Sequence, residues 1–289
     1  MKQSPSPPVD VARLEERREA QAIAEIAPNH EPIMGGVMGL GEPGSWINQA
    51  VGIGLDGPAT ETELDRLVAY YTEHNIEPRV EICPFVDESL LKGLESRGFM
   101  LREFANILAR PIGPDLADNW RSLVVQGWPV DEAGRELRIV PVSSSADAHF
   151  MSFAEVSMKG FLPEPKPLTQ GEIQLGRNII DHQRSEGYVA LFGDEVVAAA
   201  GAEYPLAGSI GPVASLFGTT VLEPFRRRGI QQTLIAHRMG LAAKHGAELV
   251  TIGSRPGIPT ERNAMRLGFS LAYTKVALAK PGPGLTPSR

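Results

Sequence analysis

The chain has 289 residues, more than one compact domain usually needs, so two domains are expected. Its net charge of −7 and pI near 5.5 weigh against a protein built to grip nucleic acid phosphates. Its one cysteine, Cys83, excludes an internal disulfide and fits a reducing cytoplasm, and no apolar run is long enough to predict a membrane span.

The chain opens with MKQSPSPPVD, polar and Pro-rich, without the apolar stretch of a signal peptide, and residues 1–20 are read as a flexible N-terminus. A first domain follows over 21–112. Thr60-Glu61-Thr62-Glu63 is a capping box, and Leu64, Leu67, Val68 and Tyr71 then recur on one helical face. A short strand covers Arg79 to Cys83. Asp87 starts a second helix with Leu90, Leu91 and Leu94 inward, and Gly98 is placed to end it. Residues 113–136, with Pro114 and Pro129, read as a linker. The second domain spans 137–280. Tyr188–Phe192 and Glu195–Ala202 form two strands joined by Gly193-Asp194, and Val213–Val221 a third. A helix runs from Ile230 to about Lys244, then a strand from Leu249 to Gly253, a short helix to Leu267, and a last strand. Residues 281–289 read as a flexible tail. Strands alternating with helices after a hairpin indicate an α+β, mixed α/β fold.

The two domains are copies. GFMLREFANILARP (Gly98–Pro111) and GFSLAYTKVALAKP (Gly268–Pro281) match at Leu101/Leu271, Leu108/Leu278 and Ala109/Ala279, 170 residues apart. The same offset places Ile82 on Ile252, Val80 on Val250, Leu64 on Leu234 and Val51 on Val221.

The segment with the clearest chemistry is VLEPFRRRGIQQ, Val221 to Gln232. A strand leads into a turn, three arginines and a glycine, and a helix starts at once. Amides at a helix N-terminus lack intrahelical partners and sit at the positive end of the dipole. Gly229 permits close backbone approach, and Arg226, Arg227 and Arg228 supply forked donors for phosphate oxygens. Together these form a pyrophosphate cradle; the plainer reading is a solvated basic turn. At the same offset the first copy has Asp56, Pro58 and Ala59. An acid repels a diphosphate and proline lacks an amide donor, so the first copy is expected not to bind such a ligand.

This segment resembles the GCN5-related N-acetyltransferase (GNAT) superfamily, whose signature is Arg or Gln, two residues, Gly, one residue, then Gly or Ala. Arg226 and Gly229 match; Gln231 departs where the family carries a small residue. Pro224 and Phe225 before the arginines, and Arg266-Leu267-Gly268-Phe269 at the end of the last helix, fit as well. The resemblance covers about Leu137 to Lys280 and implies two tandem acyl-CoA N-acyltransferase-like domains, the first degenerate. It further implies acetyl-CoA as cosubstrate. Backbone groups of Thr219, Thr220 and Val221 would pair with the pantetheine arm, and amides from Arg227 through Gly229, Ile230, Gln231 and Gln232 would hold the pyrophosphate. The thioester would end near Val221 and Ser254. Asn263, before the helix end, is a further candidate to touch the cofactor, or else only the backbone.

Transfer to an amine needs a base for its proton and can use an acid for the thiolate. The tyrosine many relatives carry four residues before Gly-Phe is Ala264 here. Tyr273 is the nearest substitute, with an aromatic on the sheet surface as the plainer reading. Glu203, beside Tyr204 at a strand end, is the candidate facing the acceptor, or else an exposed carboxylate. His237 reads as structural and Cys83 as a buried small hydrophobe. No His/Cys spacing predicts a metal. The acceptor is expected to be a small-molecule or peptide amine, chosen by residues 145–186, where the Pro-rich stretch Phe161–Pro167 reads as a lid or as a surface loop. No nucleic acid or membrane partner is expected, and a homodimer is compatible. The alternatives are a non-catalytic acyl-CoA sensor and a pure interaction protein.

Overall fold

The computed structural model describes residues 8–159 and 166–288. The first half of the chain forms helix α1 (Pro8–Ile26), strands β1 (Asn29–Ile33), β2 (Gly36–Leu40) and β3 (Ala50–Val51), helix α2 (Glu61–Thr72), strand β4 (Arg79–Ile82), helix α3 (Glu88–Ser96) and strand β5 (Met100–Pro111). After a short helix α4 (Leu116–Asn119) come β6 (Leu137–Val142), α5 (Phe150–Lys159), α6 (Gln170–Ile180), β7 (Ser185–Phe192), β8 (Glu195–Glu203), β9 (Val213–Val221), α7 (Ile230–Lys244), β10 (Leu249–Ser254), α8 (Pro259–Arg266) and β11 (Ser270–Ala279). The result is a mixed α/β protein, and contacts divide it into two compact units. Unit 1 runs to Ile107 and resumes at Leu271; unit 2 is Leu108–Ser270.

In unit 1, β1 and β2 form a hairpin turning through Met34 and Gly35, both at positive φ. β2 pairs antiparallel with β3, β3 parallel with β4 at Ala50↔Val80, and β4 antiparallel with β11 from Val276↔Ile82 to Ala279↔Arg79. The capping box of α2 is present as expected, and the α2 face of Leu64, Leu67 and Tyr71 buries with Val80, Ile82, Leu90 and Leu94. By sequence β11 closes the second copy; by pairing it belongs to unit 1. Conversely Leu108–Pro111, the end of the strand closing the first copy, lies in unit 2, where Leu108 and Ile112 join the core.

Three stretches expected to be flexible or to serve as a linker are ordered. Residues 8–20 form most of α1, because Val11, Ala12, Ala20, Ile23 and Ile26 recur on one face and bury; residues 1–7 lie outside the described ones. The tail is held to unit 1 through Thr286, which bridges Ile76: Glu77 N–H donates to the Thr286 carbonyl at 2.9 Å, and Thr286 N–H to Asn75 at 2.8 Å. Residues 113–136 fold onto α7. Trp120 lies so close to Gly240 that a Cβ there would fall 2.5 Å from the indole, and its ring meets His237 edge-on at 5.1 Å. Trp128 donates through its indole N–H to the Leu137 carbonyl, and the Arg121 guanidinium lies over its ring.

In unit 2 the strands run β10-β9-β8-β7-β6. The pairs from β6 to β9 are antiparallel, while β9 and β10 are parallel and connected through α7. One face of this sheet buries Tyr188, Ala190, Ala200, Ala202 and Leu216 together with Ile230, Leu234, Ile235 and Met239 of α7. The other face packs Val189, Leu191 and Ala199 against Phe150, Phe153 and Val156 of α5 and Ile180 of α6. Both units therefore repeat one plan, an antiparallel hairpin followed by a parallel pair with a crossover helix.

Candidate functional site

β9 and β10 share only three register pairs, Leu249↔Val213, Val250↔Ala214 and Thr251↔Ser215. Beyond them β9 continues six residues to Val221 and β10 three residues to Ser254. Over that stretch β9 keeps its antiparallel partner β8 on one side only. Between Ala199↔Thr220 and Gly201↔Phe217 the register shifts, with two residues of β9, Gly218 and Thr219, against one of β8, Ala200, and Gly218 has φ +61°. At Gly201 opposite, a Cβ would fall 2.3 Å from the Phe217 ring and force that ring to move.

After β9 the chain makes one tight turn over Glu223–Phe225, then passes through Arg227 at φ +66° and Gly229 at φ +78° into α7. Gly229 is the N-cap, and among the described residues no side chain caps the helix start. Arg226 and Arg227 are exposed, and the Arg226 Nε donates to the Val221 carbonyl at 3.1 Å. Arg228 pairs with the exposed Glu132 at 2.8 Å. Gln231, the departure from the small-residue pattern, turns its amide to α8: it donates to the Thr260 hydroxyl at 2.9 Å and accepts from Asn263 at 2.6 Å. Gln232 donates to Asn263 at 3.0 Å. These three amides fasten α7 to α8, so the bulk of Gln231 is spent there. Thr219 and Val221 are half-buried, and buried Thr220 donates its hydroxyl to the Ser157 carbonyl of α5 at 3.1 Å.

The catalytic candidates fare differently. Tyr273 is not a free acid facing the arginine loop: it lies on β11 in unit 1, buried, and donates its hydroxyl to Glu16 at 2.7 Å. Burial and the carboxylates of Glu16 and Glu15 push its pKa far up. Glu203 is buried, not an exposed strand-end carboxylate, and forms an ion pair with Arg184. Tyr204 shares a hydroxyl–hydroxyl hydrogen bond of 2.9 Å with Tyr188, whose own hydroxyl also bonds Glu186. His237 is packed between Trp120 and Tyr188, and burial lowers its pKa to about 4, so it is neutral at pH 7. Cys83 is buried in unit 1, and burial raises its thiol to about 11. Residues 161–165 of the Pro-rich stretch lie outside the described residues.

The matching place in unit 1 is built differently. Asp56 is held by Arg17 at 2.8 Å and by Arg13 at 3.8 Å, both from α1. Three amides around the start of α2 have side-chain partners: Ala59 N–H donates to Ser89, Thr60 N–H to Glu63, and Glu63 N–H to Thr60. Gly52 faces the backbone of α1, where a Cβ would fall 2.8 Å from the Glu16 carbonyl.

No protein-family profile matches the chain, and no curated protein is a significant match. Solved structures do match its fold. A GCN5-related N-acetyltransferase from Kribbella flavida superposes with a TM-score of 0.65 at 16% identity, covering 95% of this chain and 97% of that one. A tandem GNAT protein from the clavulanic acid biosynthesis pathway gives 0.55 at 14% identity, covering 76% and 69%. This chain has the tandem GNAT fold. A conserved protein of unknown function from Staphylococcus epidermidis is also similar, with a TM-score of 0.55 at 16% identity over 87% of this chain and 93% of its own. Within the GNAT fold, the parting of β9 and β10 and the uncapped start of α7 occur in unit 2.

Three further features of the site escaped the sequence reading: the bulge at Gly218, the buried Arg238 behind it, and Glu132 beside Arg228. Gly201 and Gly218, two strand glycines, were the available signal for the first. Among the described residues, no cluster of His, Cys, Asp or Glu could hold a metal, and no helix is long and apolar enough to cross a membrane.

Proposed function

We propose that the chain is an acetyl-CoA-dependent N-acetyltransferase acting on a primary amine of a small molecule or peptide, with the cosubstrate held by unit 2. The observation that carries this reading is the conjunction in unit 2 of an uncapped helix start, left-handed Arg227 and Gly229, and a parallel strand pair that parts after Ser215 and Thr251. The group fits: amides from Arg227 to Gln232 meet a diphosphate with no competing side-chain cap, and Arg226 and Arg228 add charge. The backbone of Thr219–Val221 has an edge on the side where β10 has ended its pairing, suited to a pantetheine arm lying as one more strand. Asn263 anchors the cradle from α8 through Gln231 and Gln232. When bound, acetyl-CoA supplies the activated acyl group as a thioester.

The amine nitrogen would form the new bond to the carbonyl carbon as the carbon–sulfur bond breaks. The nitrogen's proton leaves to solvent or a base, and the thiolate takes one. Tyr273 and Glu203 are both engaged by partners, so the chain's residues act by positioning and neither of these two carries the proton.

Calorimetric titration of acetyl-CoA into the full chain, beside an Arg226→Ala/Arg228→Ala variant, tests the reading. One saturable site per chain is expected, weakened by about tenfold or more in the variant. A screen of amines for thiol release then separates an enzyme from a non-catalytic sensor. An intact chain that binds no acyl-CoA would overturn the proposal.

A further inference from the structure

The largest fully buried side chain in unit 2 is a cation. Arg238, two turns into α7, has no exposed surface. Its Nε donates to the Leu234 carbonyl one turn back at 3.0 Å. One terminal nitrogen, Nη1, donates to Gly201 of β8 at 2.6 Å and to Phe217 of β9 at 3.2 Å; the other, Nη2, donates to the Thr219 hydroxyl at 2.7 Å. Every acceptor is a carbonyl or a hydroxyl, none a carboxylate. Burial accordingly lowers its pKa, to about 10, and it stays charged at neutral pH.

A buried charge without a counter-ion is costly, and an apolar residue of similar volume fills a core without that cost. What a guanidinium offers that leucine or methionine cannot is a rigid planar fork that fixes several acceptors at once. Here the fork reaches both strands of the bulge. Phe217 and Thr219 flank Gly218, and Gly201 is the residue opposite. Removing one residue of phase from β9 would turn its later backbone groups to the other edge, because hydrogen-bonding direction alternates along a strand.

We propose that Arg238 is a positioning residue: it straps the Gly218 bulge and so sets the phase in which the backbone of Thr219–Val221 faces the gap beside β10. The inference rests on the acetyl-CoA reading, and it adds a division of labour. The arginine loop governs the diphosphate; Arg238, which touches no ligand, governs the pantetheine arm.

The experiment compares acetyl-CoA with ADP, which carries the diphosphate and no pantetheine, on the full chain by calorimetry. Arg238→Lys keeps the charge and loses the fork. It should weaken acetyl-CoA by about tenfold while ADP stays within about twofold, as expected when charge-assisted bonds to one part of a site are lost. Amides of 217–220 should also exchange hydrogen faster in the variant without ligand. Thr219→Val removes one acceptor with little change of volume, and serves if Arg238→Lys does not fold; about threefold weakening of acetyl-CoA alone is expected. If the intact chain binds both ligands, and the variants either keep acetyl-CoA affinity or lose both ligands equally, the positioning role is overturned and the cofactor reading stands. If the intact chain binds neither, the cofactor reading falls and this inference with it.

Discussion

The two units share a plan and differ at one corner. Both place a crossover helix after a strand, and the 170-residue offset carries Glu61–Thr72 onto Ile230–Lys244, β4 onto β10, α3 onto α8 and β5 onto β11 within a few residues. The offset fails one strand earlier. Val80 pairs with Ala50, whereas Val250 pairs with Ala214, six residues before the Thr220 that the offset predicts. Those residues are the free end of β9 with its bulge, and unit 1 has no equivalent: β3 ends at Val51. At the helix start unit 1 gives amides side-chain partners in Thr60, Glu63 and Ser89, and α7 of unit 2 has no side-chain cap. If the proposed cosubstrate binds, the difference between the copies lies in backbone groups that one pairs internally and the other leaves open.

The largest effect is expected where unit 1 has filled its own interior with charge. Lys275 is fully buried between Glu19 and Glu81; burial opposes its charge, and the carboxylates outweigh that and hold its pKa well above the ordinary value. Lys275→Met strands those acids without a cation and should cost about 3–5 kcal/mol in urea denaturation. If this cluster serves only the fold, acetyl-CoA affinity of the folded variant is unchanged. A loss of affinity with little loss of stability would erase the division between a structural and a binding unit.

The units should also answer pH in opposite directions. Burial raises Glu16 to about 7 from 4.5, against the pull of Lys275. The folded state therefore keeps a proton the unfolded chain gives up, so this contribution is full below pH 4.5 and is lost as pH rises to about 7. Its size is on the order of 3 kcal/mol. His237, lowered by burial from 6.5 to about 4, behaves oppositely: its contribution is present above pH 6.5 and is lost on acidification toward 4. Hydrogen exchange corrected for intrinsic rates should show α1 better protected at pH 5 than at 7.5, and α7 the reverse. In Glu16→Gln the α1 dependence should flatten. Parallel responses in both helices would break this contrast.

Much of this was legible in the sequence because the signals were local. The capping box at Thr60, the left-handed Gly98 and Gly268, and α7 from Ile230 to Lys244 are dictated by neighbours three or four residues away. The arginine loop was legible for the same reason. What could not be read was set by distant partners. Tyr273 seemed available until β11 paired with β4 and brought Glu16 to its hydroxyl, 257 residues away in sequence. Glu203 seemed exposed until Arg184 met it. Residues 113–136 read as a linker from Pro114, Pro129 and their polar neighbours, because the anchors Trp120 and Trp128 gain their main partners, Gly240 of α7 and the Leu137 carbonyl, only once the chain has folded.

A smaller effect separates the two helix starts directly. Thr60→Ala removes the hydroxyl that accepts from Glu63 N–H and should cost about 1 kcal/mol of stability. Acetyl-CoA affinity should not move. A shift in affinity beyond about twofold, at a ligand concentration giving clear saturation, would mean that the capped helix takes part in binding after all.

The smallest effect concerns Glu132, the acid paired with Arg228. Glu132 holds Arg228 at 2.8 Å, but its side chain is 88% exposed, so the pair itself stabilises the fold little. Its negative charge lies where a diphosphate would draw on the same guanidinium, and the ligand must displace it. Glu132→Gln should therefore leave stability unchanged and tighten acetyl-CoA by about two- to threefold at low salt. The gain should shrink as ionic strength rises, because both the repulsion and the exposed pair are screened. Weaker binding in Glu132→Gln would reverse the assignment: the carboxylate would then be the strut that holds Arg228 in its binding posture, and the folded stretch from Trp120 to Leu137 would count as part of the site rather than its neighbour.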